Sequence, residues 1–293
     1  MSTTLTTEAQ LPPVRRPMRT WSVLRSLYRR PASALGTTLV VIFIALAVAA
    51  PWIAPYSATH QIAADARQPP SAGHWLGTDR LGRDVFSRII WGAQEVLGLA
   101  GAGTLLAVFL GTAIGLLSGY QGGWLDEIIF RFFDSLLAMP ALLLALLLLG
   151  TVGPSRYSVL IVIVVVYTPI VGRVARSVAL GTKTKGFVEA ARIRGESLGY
   201  ILFREILPSA LPALAVEAAL RFSYAIFLVA SLGFLGVGVQ PPSPNWGLMV
   251  SEARTYATLT PWALYFPAGA ISLLVIGVNL MADGLKRALQ VEG

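Results

Sequence analysis

Long apolar stretches alternate with short polar segments along the chain. Six of these stretches come close to the roughly 20 apolar residues that a helix needs to cross a bilayer. They lie within residues 31–53, 96–125, 134–149, 157–172, 210–237 and 257–282. Pro169 and Arg173 shorten the apolar core of the fourth stretch. The pattern predicts an all-α membrane protein with six transmembrane helices.

Basic residues concentrate in three segments that six spans would place on one side of the membrane. These segments precede the first stretch, separate the fourth from the fifth, and follow the sixth. Short cytoplasmic loops carry an excess of Lys and Arg, so both termini are predicted to be cytoplasmic. The predicted organisation is a cytoplasmic tail at 1–30, a six-helix domain at 31–289 and a short tail at 290–293. Within that domain, an external loop is expected at about 54–95 and a cytoplasmic loop at about 180–208.

The composition supports membrane insertion. Of the 293 residues, 55% are hydrophobic and 13% are charged, whereas an average soluble domain carries about 25% charge. Mean hydropathy is +0.67. The chain has no Cys, which excludes a disulfide framework and a thiolate metal site. Because the net charge of +8 arises from membrane-flanking segments, it does not indicate nucleic-acid binding.

Residues for catalysis or cofactor binding are missing from the sequence. None of the three lysines follows a glycine, so there is no G-x-x-x-x-G-K-[ST] phosphate loop. His60 and His74 are two isolated imidazoles, which do not make a zinc site. We therefore expect no catalytic residue, no metal and no cofactor on this chain. If ATP drives its function, another chain must bind it.

A pair of opposite charges lies within the fifth apolar stretch. Glu217 and Arg221 are spaced i, i+4, with the acidic residue on the favourable N-terminal side. Charges in lipid are costly and are therefore informative. One interpretation is a structural pair near the inner interface; the other is a role in gating or substrate binding.

The basic segment 182–212 predicts two short helices. Thr184 is expected to cap the first helix, and Gly195 to end it in a left-handed conformation. Ser197 opens the second helix, which Pro208 is expected to end.

The first of these helices carries a small apolar knob. Phe187, Ala190, Ala191 and Arg194 follow i, i+3, i+4, i+7 spacing and share a face, which basic residues surround. Such a surface could dock into a groove of a partner protein. Alternatively, the helix could lie on anionic lipid.

The same segment resembles the EAA loop of ABC importer permeases. The match consists of Glu-Ala-Ala at 189–191, Gly195, and Ile-Leu-Pro at 206–208, with the spacing E-A-A-x3-G-x10-I-L-P. In that family the loop forms a coupling helix that sits in a cleft of an ATPase subunit and transmits its closure. The resemblance implies that role for Phe187, Glu189, Ala190, Ala191, Gly195, Ile206, Leu207 and Pro208.

A second segment, residues 74–88, narrows the resemblance. It is similar to the signature H-x-L-G-T-D-x-L-G-R-D-V-x-S-R of the C-type permease subunits of dipeptide, oligopeptide and nickel importers. Residues 231–247 and 279–285 resemble the same subunits, and the whole resemblance covers about 31–289.

The Gly residues of segment 74–88 allow tight turns, and its Asp residues can cap a helix. This predicts a short external helix entering the second span. A lid or plug and contact with a binding protein are both open roles for Gly77, Thr78, Asp79, Gly82, Arg83 and Asp84.

The resemblance implies a type I ABC importer permease fold in the inner membrane. It implies half of a translocation pathway, a homologous second permease, two ATPase subunits that hold ATP and Mg, and an extracytoplasmic solute-binding protein. Dipeptides or oligopeptides are the expected substrates, with nickel complexes, glutathione or another small solute as alternatives. An ion-coupled secondary carrier is a rival interpretation, although few ionisable groups lie inside the spans. A membrane scaffold or enzyme without transport activity is a further rival, and the missing catalytic residues disfavour an enzyme.

Overall fold

The computed structural model describes residues 25–291, and that part of the chain contains helices and no β-strand. Residues 25–28 are helical. The longer helices, in chain order, are α1 Pro31–Ile53, α2 Val85–Gln121, α3 Gly123–Leu137, α4 Ala141–Val152, α5 Arg156–Thr182, α6 Gly186–Ile193, α7 Leu198–Phe234, α8 Trp246–Ala253 and α9 Pro261–Val291. Most of the predicted tail 1–30 lies outside the described residues. At the other end, α9 continues into the predicted tail as far as Val291.

Five of these helices, α1, α2, α5, α7 and α9, are long and apolar enough to cross a membrane. The pair α3 and α4 passes the same test jointly, but its two helices meet at an angle of 94°. The predicted third span is therefore broken. Proline supplies no amide and restricts the residue before it to extended conformations, so the chain turns at Met139–Pro140 and α4 begins after Pro140. The described helices thus agree with six spans when the bent pair counts as one.

The α2–α5 contact depends on a row of glycines. Gly111, Gly115 and Gly119 recur every four residues along α2 and face α5 at backbone distance. A Cβ atom on Gly115 would lie 2.3 Å from the carbonyl oxygen of Gly172 on α5. Small residues at this spacing let helices approach closely where lipid provides no hydrophobic driving force. Close packing therefore holds this pair together.

Helix α1 packs along α9 at the edge of the bundle. A Cβ atom on Gly36 of α1 would lie 2.7 Å from the carbonyl oxygen of Gly277. Near the same end, Leu27 is buried, and its Cδ2 would lie 3.0 Å from a Cβ on Gly284. The last residues of the predicted N-terminal tail are therefore part of the packed structure.

Helix α7 is one continuous helix, although Pro208 was predicted to end it. A π-helical turn at Ile201–Ile206 ends two residues before Pro208, and the amide of Leu207 donates to the carbonyl of Leu202, five residues earlier. Proline breaks an α-helix because it lacks a donor and collides with the carbonyl four residues before it. The wider turn relieves both problems. Helix α7 thus runs without interruption from the loop that carries α6 to the far end of the bundle.

Candidate functional site

Helix α6 begins and ends sharply. It starts after Lys185, and no side chain caps it, so the prediction of a Thr184 cap was wrong. At its end Gly195 has φ +76°, as predicted. The amide of Glu196 donates to the carbonyl of Ala191, and that of Gly195 donates to Arg192. These two bonds form a Schellman motif, which sets the direction of the chain after α6.

One face of α6 is anchored and the opposite face is free. Val188 and Ala191 have no exposed surface and pack into an apolar cluster with residues of α5 and α7. The inward position of Ala191 differs from the predicted knob. On the outer face, Phe187 is 43% and Ile193 82% exposed, and Glu189 and Ala190 are exposed beside them. The surface available to a partner therefore includes Ile193, which the sequence pattern missed.

The loop is also joined to the start of α7. Arg194 lies 3.4 Å from Glu196 and 3.7 Å from Glu205 through its guanidinium nitrogens. In α7, Ile206 is fully buried, Leu207 is half-buried and Pro208 is exposed. The Ile-Leu-Pro element thus seats the beginning of α7 on the bundle, while the Glu-Ala-Ala element supplies most of the exposed surface.

At the other end of the bundle, the signature segment, residues 74–88, forms a buried ionic network. Arg83 Nε lies 2.5 Å from Asp79 Oδ2, and Arg83 Nη2 lies 2.5 Å from Glu252 Oε2. Arg88, 1% exposed, is 3.6 Å from Asp79 and 3.8 Å from Glu252 and donates to the carbonyl of Ser243 at 3.0 Å. The network joins the signature segment to α8.

Turns within the signature segment depend on its glycines and aspartates. Gly77 and Gly82 both have φ +73°, and a Cβ on Gly82 would lie 1.9 Å from the carbonyl oxygen of Ile62. Asp84 accepts a hydrogen bond from the amide of Ser87 at 2.7 Å and so caps α2, as predicted. This cap starts a helix that runs unbroken from Val85 to Gln121, so the short helix predicted to enter the second span is the first part of α2 itself.

Other signature residues serve the same architecture. The fully buried Thr78 accepts a hydrogen bond at its hydroxyl from the amide of Gln68, and His74 Nδ1 lies 2.9 Å from Asp84. Residues that sequence reasoning missed complete this end: the hydroxyl of Ser243 donates to Glu95 at 2.7 Å. The only signal of this contact in the sequence is the charge of Glu95 beside an apolar stretch. Nothing in the sequence indicates that Ser243 is its partner.

The Glu217–Arg221 pair is present, with Arg221 Nε 2.8 Å from Glu217 Oε1. Both side chains are about 85% buried. Arg221 also lies over two aromatic rings, 4.8 Å from the centre of Tyr224 and 5.8 Å from that of Tyr167. Glu217 is 19 residues after Leu198 and 17 before Phe234. The pair therefore lies in the middle of α7 and not near its start.

Within residues 25–291, no group of three or more His, Asp and Glu side chains is arranged to hold a metal ion. The described residues present α6, an anchored helix with a free outer face, at one end of the bundle. An ionic network lies at the other end, and the Glu217–Arg221 ion pair lies between them. Long apolar helices carry these features across the membrane. Together they define a multi-pass membrane protein.

Comparisons with known proteins identify the family. A model described as "Binding-protein-dependent transport system inner membrane component" matches residues 111–291, and one for the N-terminal transmembrane domain of oligopeptide transport permease C matches residues 19–70. The chain belongs to the binding-protein-dependent transport family of inner-membrane permeases. It is therefore a permease component and a multi-pass protein of the inner membrane. The family is one of membrane transport components, in agreement with the prediction that this chain is not an enzyme.

Curated relatives match almost the whole chain. It is 40% identical over 265 residues to the dipeptide transport system permease protein DppC of Alkalihalophilus pseudofirmus, covering 90% of this chain and 87% of that protein. It is 38% identical to the glutathione transport system permease protein GsiD of Pectobacterium atrosepticum, covering 90% and 88%. A probable D,D-dipeptide transport system permease protein, DdpC of Escherichia coli, is also 38% identical, covering 88% and 87%.

The fold is that of a known importer. An inward-facing structure of the MetNI methionine ABC transporter matches with a TM-score of 0.55 at 20% identity, covering 70% of this chain and 96% of that one. At this identity the match concerns the fold alone. The prediction of a type I ABC importer permease fold is confirmed.

Proposed function

We propose that this permease subunit imports peptides or peptide-like solutes and receives its driving force through α6. The carrying observation is the geometry of that helix: Val188 and Ala191 fix one face to the bundle, and Phe187, Glu189 and Ile193 present the other. A short helix that is apolar outward and anchored inward suits insertion into a groove of a partner. We assign that groove to an ATPase subunit, because this chain has no phosphate loop of its own.

The remaining partners follow from the same scheme. A second, homologous permease would complete the pathway, and two ATPase subunits would hold ATP and Mg beneath it. An extracytoplasmic solute-binding protein would deliver the substrate at the end formed by the signature segment. This arrangement places both termini and α6 in the cytoplasm, in keeping with the basic residues near them. The external surface would then be held in a single conformation by the ionic network of Asp79, Arg83, Arg88 and Glu252.

Peptides are the favoured substrate class because relatives that match the chain over its length carry dipeptide or glutathione names. Glutathione is itself a modified tripeptide, so it belongs to the same chemical class and is the second candidate.

Cysteine cross-linking tests the coupling proposal cleanly, because the chain has no Cys. A single cysteine at Ile193 should cross-link to an ATPase subunit when the complex is treated with a short bifunctional reagent. A cysteine at Trp52 is the matched control and should not cross-link to an ATPase subunit. Trp52 is 80% exposed and lies near the C-terminal end of α1. Cross-linking at both positions, or at neither, would remove the coupling assignment.

A charge reversal tests the same surface by function. Glu189→Lys should abolish ATP-dependent peptide uptake, because it changes the sign of the charge on the exposed face of α6 while leaving the buried face intact. The amount of protein in the membrane should remain that of the wild type. Normal uptake by this variant would contradict docking through α6.

A further inference from the structure

An open cavity of about 360 Å³ lies beside Arg221. Its walls come from the bend between α3 and α4, from α5, and from α7. Met139, Pro140 and Ala141 form the bend side, and Tyr167 lies opposite them. The bend of the broken third span thus forms one side of this cavity.

Arg221 is the charged residue in the wall of this cavity, and the remainder is apolar apart from the two tyrosines. Arginine has five N–H donors. Its Nε lies 2.8 Å from Glu217 Oε1 and forms an ion pair with it, so the N–H groups on the two Nη atoms are the donors that are left. The guanidinium therefore retains donors for another acceptor.

A second positive feature faces the same space. Pro140 immediately precedes α4 and Ala141 is its first residue, and no described side chain caps this helix end. The N-terminus of a helix carries a partial positive charge and free amides. Discontinuous membrane helices place such ends at the midplane, where they contact anionic groups of a substrate.

The position along α7 fits a site within the membrane. Arg221 is about 35 Å from Leu198 and about 20 Å from Phe234 at 1.5 Å per residue, so it lies well inside this spanning helix. An ionisable residue at this depth is costly in lipid unless it faces a cavity or a partner. Here it faces both.

We propose that this cavity is a transit site for a carboxylate attached to an apolar group, and that Arg221 binds the carboxylate. Tyr167 and Tyr224 flank the guanidinium and limit its orientation, and the apolar wall accommodates a side chain of the ligand. For a peptide, the bound group is the C-terminal carboxylate. This inference rests on the proposed function for the identity of the peptide, but the cavity chemistry is independent of transport.

Direct binding separates the carboxylate from the remainder of the ligand. The probes are two acid–amide pairs, Ala-Phe with Ala-Phe-amide and 3-phenylpropionate with 3-phenylpropionamide. Titration calorimetry would use the full permease assembled with its partner subunits in lipid nanodiscs. Each acid should bind about 10- to 100-fold more tightly than its amide, the range expected for hydrogen bonds to a charged group. Equal affinity for acid and amide, or no binding of either acid, would overturn the proposal.

Variants assign the preference to Arg221. Arg221→Gln should bind acids and amides equally, and Arg221→Lys should keep part of the preference. Arg131→Gln is the matched control: it removes an arginine from another i, i+4 pair with Glu, but one that is 76% exposed. That control should keep the full preference. Retention of the preference in Arg221→Gln would overturn the proposal.

Glu217→Gln provides an independent check in case Arg221→Gln does not assemble. Loss of the competing carboxylate should strengthen acid binding several-fold, whereas loss of the acid preference in this variant would show that the pair serves structure alone. Transport is measured separately, as ATP-dependent uptake of Ala-Phe. Phenylpropionate binding without peptide uptake would contradict the proposed function and support the carboxylate site. Uptake without an acid preference would do the reverse.

Discussion

Arg176 on α5 holds both carboxylate oxygens of Asp126 on α3. Nε lies 2.7 Å from Oδ1, and Nη2 lies 2.5 Å from Oδ2. Asp126 is 10% exposed and Arg176 34%, and the guanidinium also lies 4.6 Å from the ring centre of Phe130. This two-point contact fixes α3, the first half of the broken span, against the unbroken span α5.

Asp126→Asn should therefore loosen α3. The amide keeps one acceptor but loses the charge, so we expect a loss of about 1.5–3 kcal/mol in the free energy of unfolding. Unfolding in detergent by heat or denaturant measures it. Glu127→Gln is the matched control, because Glu127 is 61% exposed and pairs with Arg131 at the surface; it should change stability by less than about 1 kcal/mol. Equal losses in the two variants would show that burial of the Asp126 contact is unimportant.

Gly195→Ala should weaken coupling without removing the protein from the membrane. A left-handed residue with a Cβ costs about 1–2 kcal/mol, which lowers the population of the native turn about 5- to 30-fold. Peptide-stimulated ATP hydrolysis by the assembled complex is the measurement. Gly199→Ala is the control, since Gly199 has no atom within 4 Å of an added Cβ and its φ is not positive. A coupling loss in the control variant but not in Gly195→Ala would contradict the assigned turn.

Glu252→Gln should destabilise the end of the bundle that holds the signature segment. It leaves Arg83 and Arg88, which are 4% and 1% exposed, with Asp79 as their remaining carboxylate in the network. Removal of one partner from a buried ionic group costs about 3–5 kcal/mol. Limited proteolysis between residues 54 and 84 would report the opening. The neighbouring exposed Arg254→Gln should leave the digestion pattern unchanged; similar cleavage in both variants would argue against the network.

Gly115→Ala should separate α2 from α5. The added methyl would lie 2.3 Å from the Gly172 carbonyl oxygen, and overpacking of this kind costs about 1–3 kcal/mol. Gly98→Ala on the same helix meets nothing within 4 Å, and alanine favours a helix by about 1 kcal/mol over glycine. The two variants should thus shift the unfolding midpoint in opposite directions. A shift in the same direction would mean that the row of glycines is not a packing surface.

The sequence predicts what depends on local composition. Residues 31–53 form α1 because the run is uncharged and mostly apolar, and its ends are visible in the local sequence. Gly195 and Ser197 act as predicted because glycine in a left-handed turn and serine as a helix cap depend on the chain within a few residues. The bend at Met139–Pro140 was missed because a count of apolar residues gives the length of a span and not the direction in which its helices run.

The sequence did not predict which side of a helix packs inward or which distant residues are in contact. Phe187, Ala190 and Ala191 share a helical face in sequence, but only the bundle determines which edge of that face turns inward. Val188 was the available signal, because an apolar residue three positions before Ala191 shares a helical face with it. Glu252 is 164 residues after Arg88, and no local pattern joins them.

The unbroken α7 has a mechanical consequence. Arg221 lies 23 residues after Leu198, a moment arm of about 35 Å at 1.5 Å per residue. A tilt of about 5° at the loop end would displace the guanidinium by about 3 Å, which is the length of a hydrogen bond. The π-helical turn before Pro208 therefore keeps the helix continuous, and a tilt of this size at the loop end is sufficient to make or release a contact of the Arg221 guanidinium.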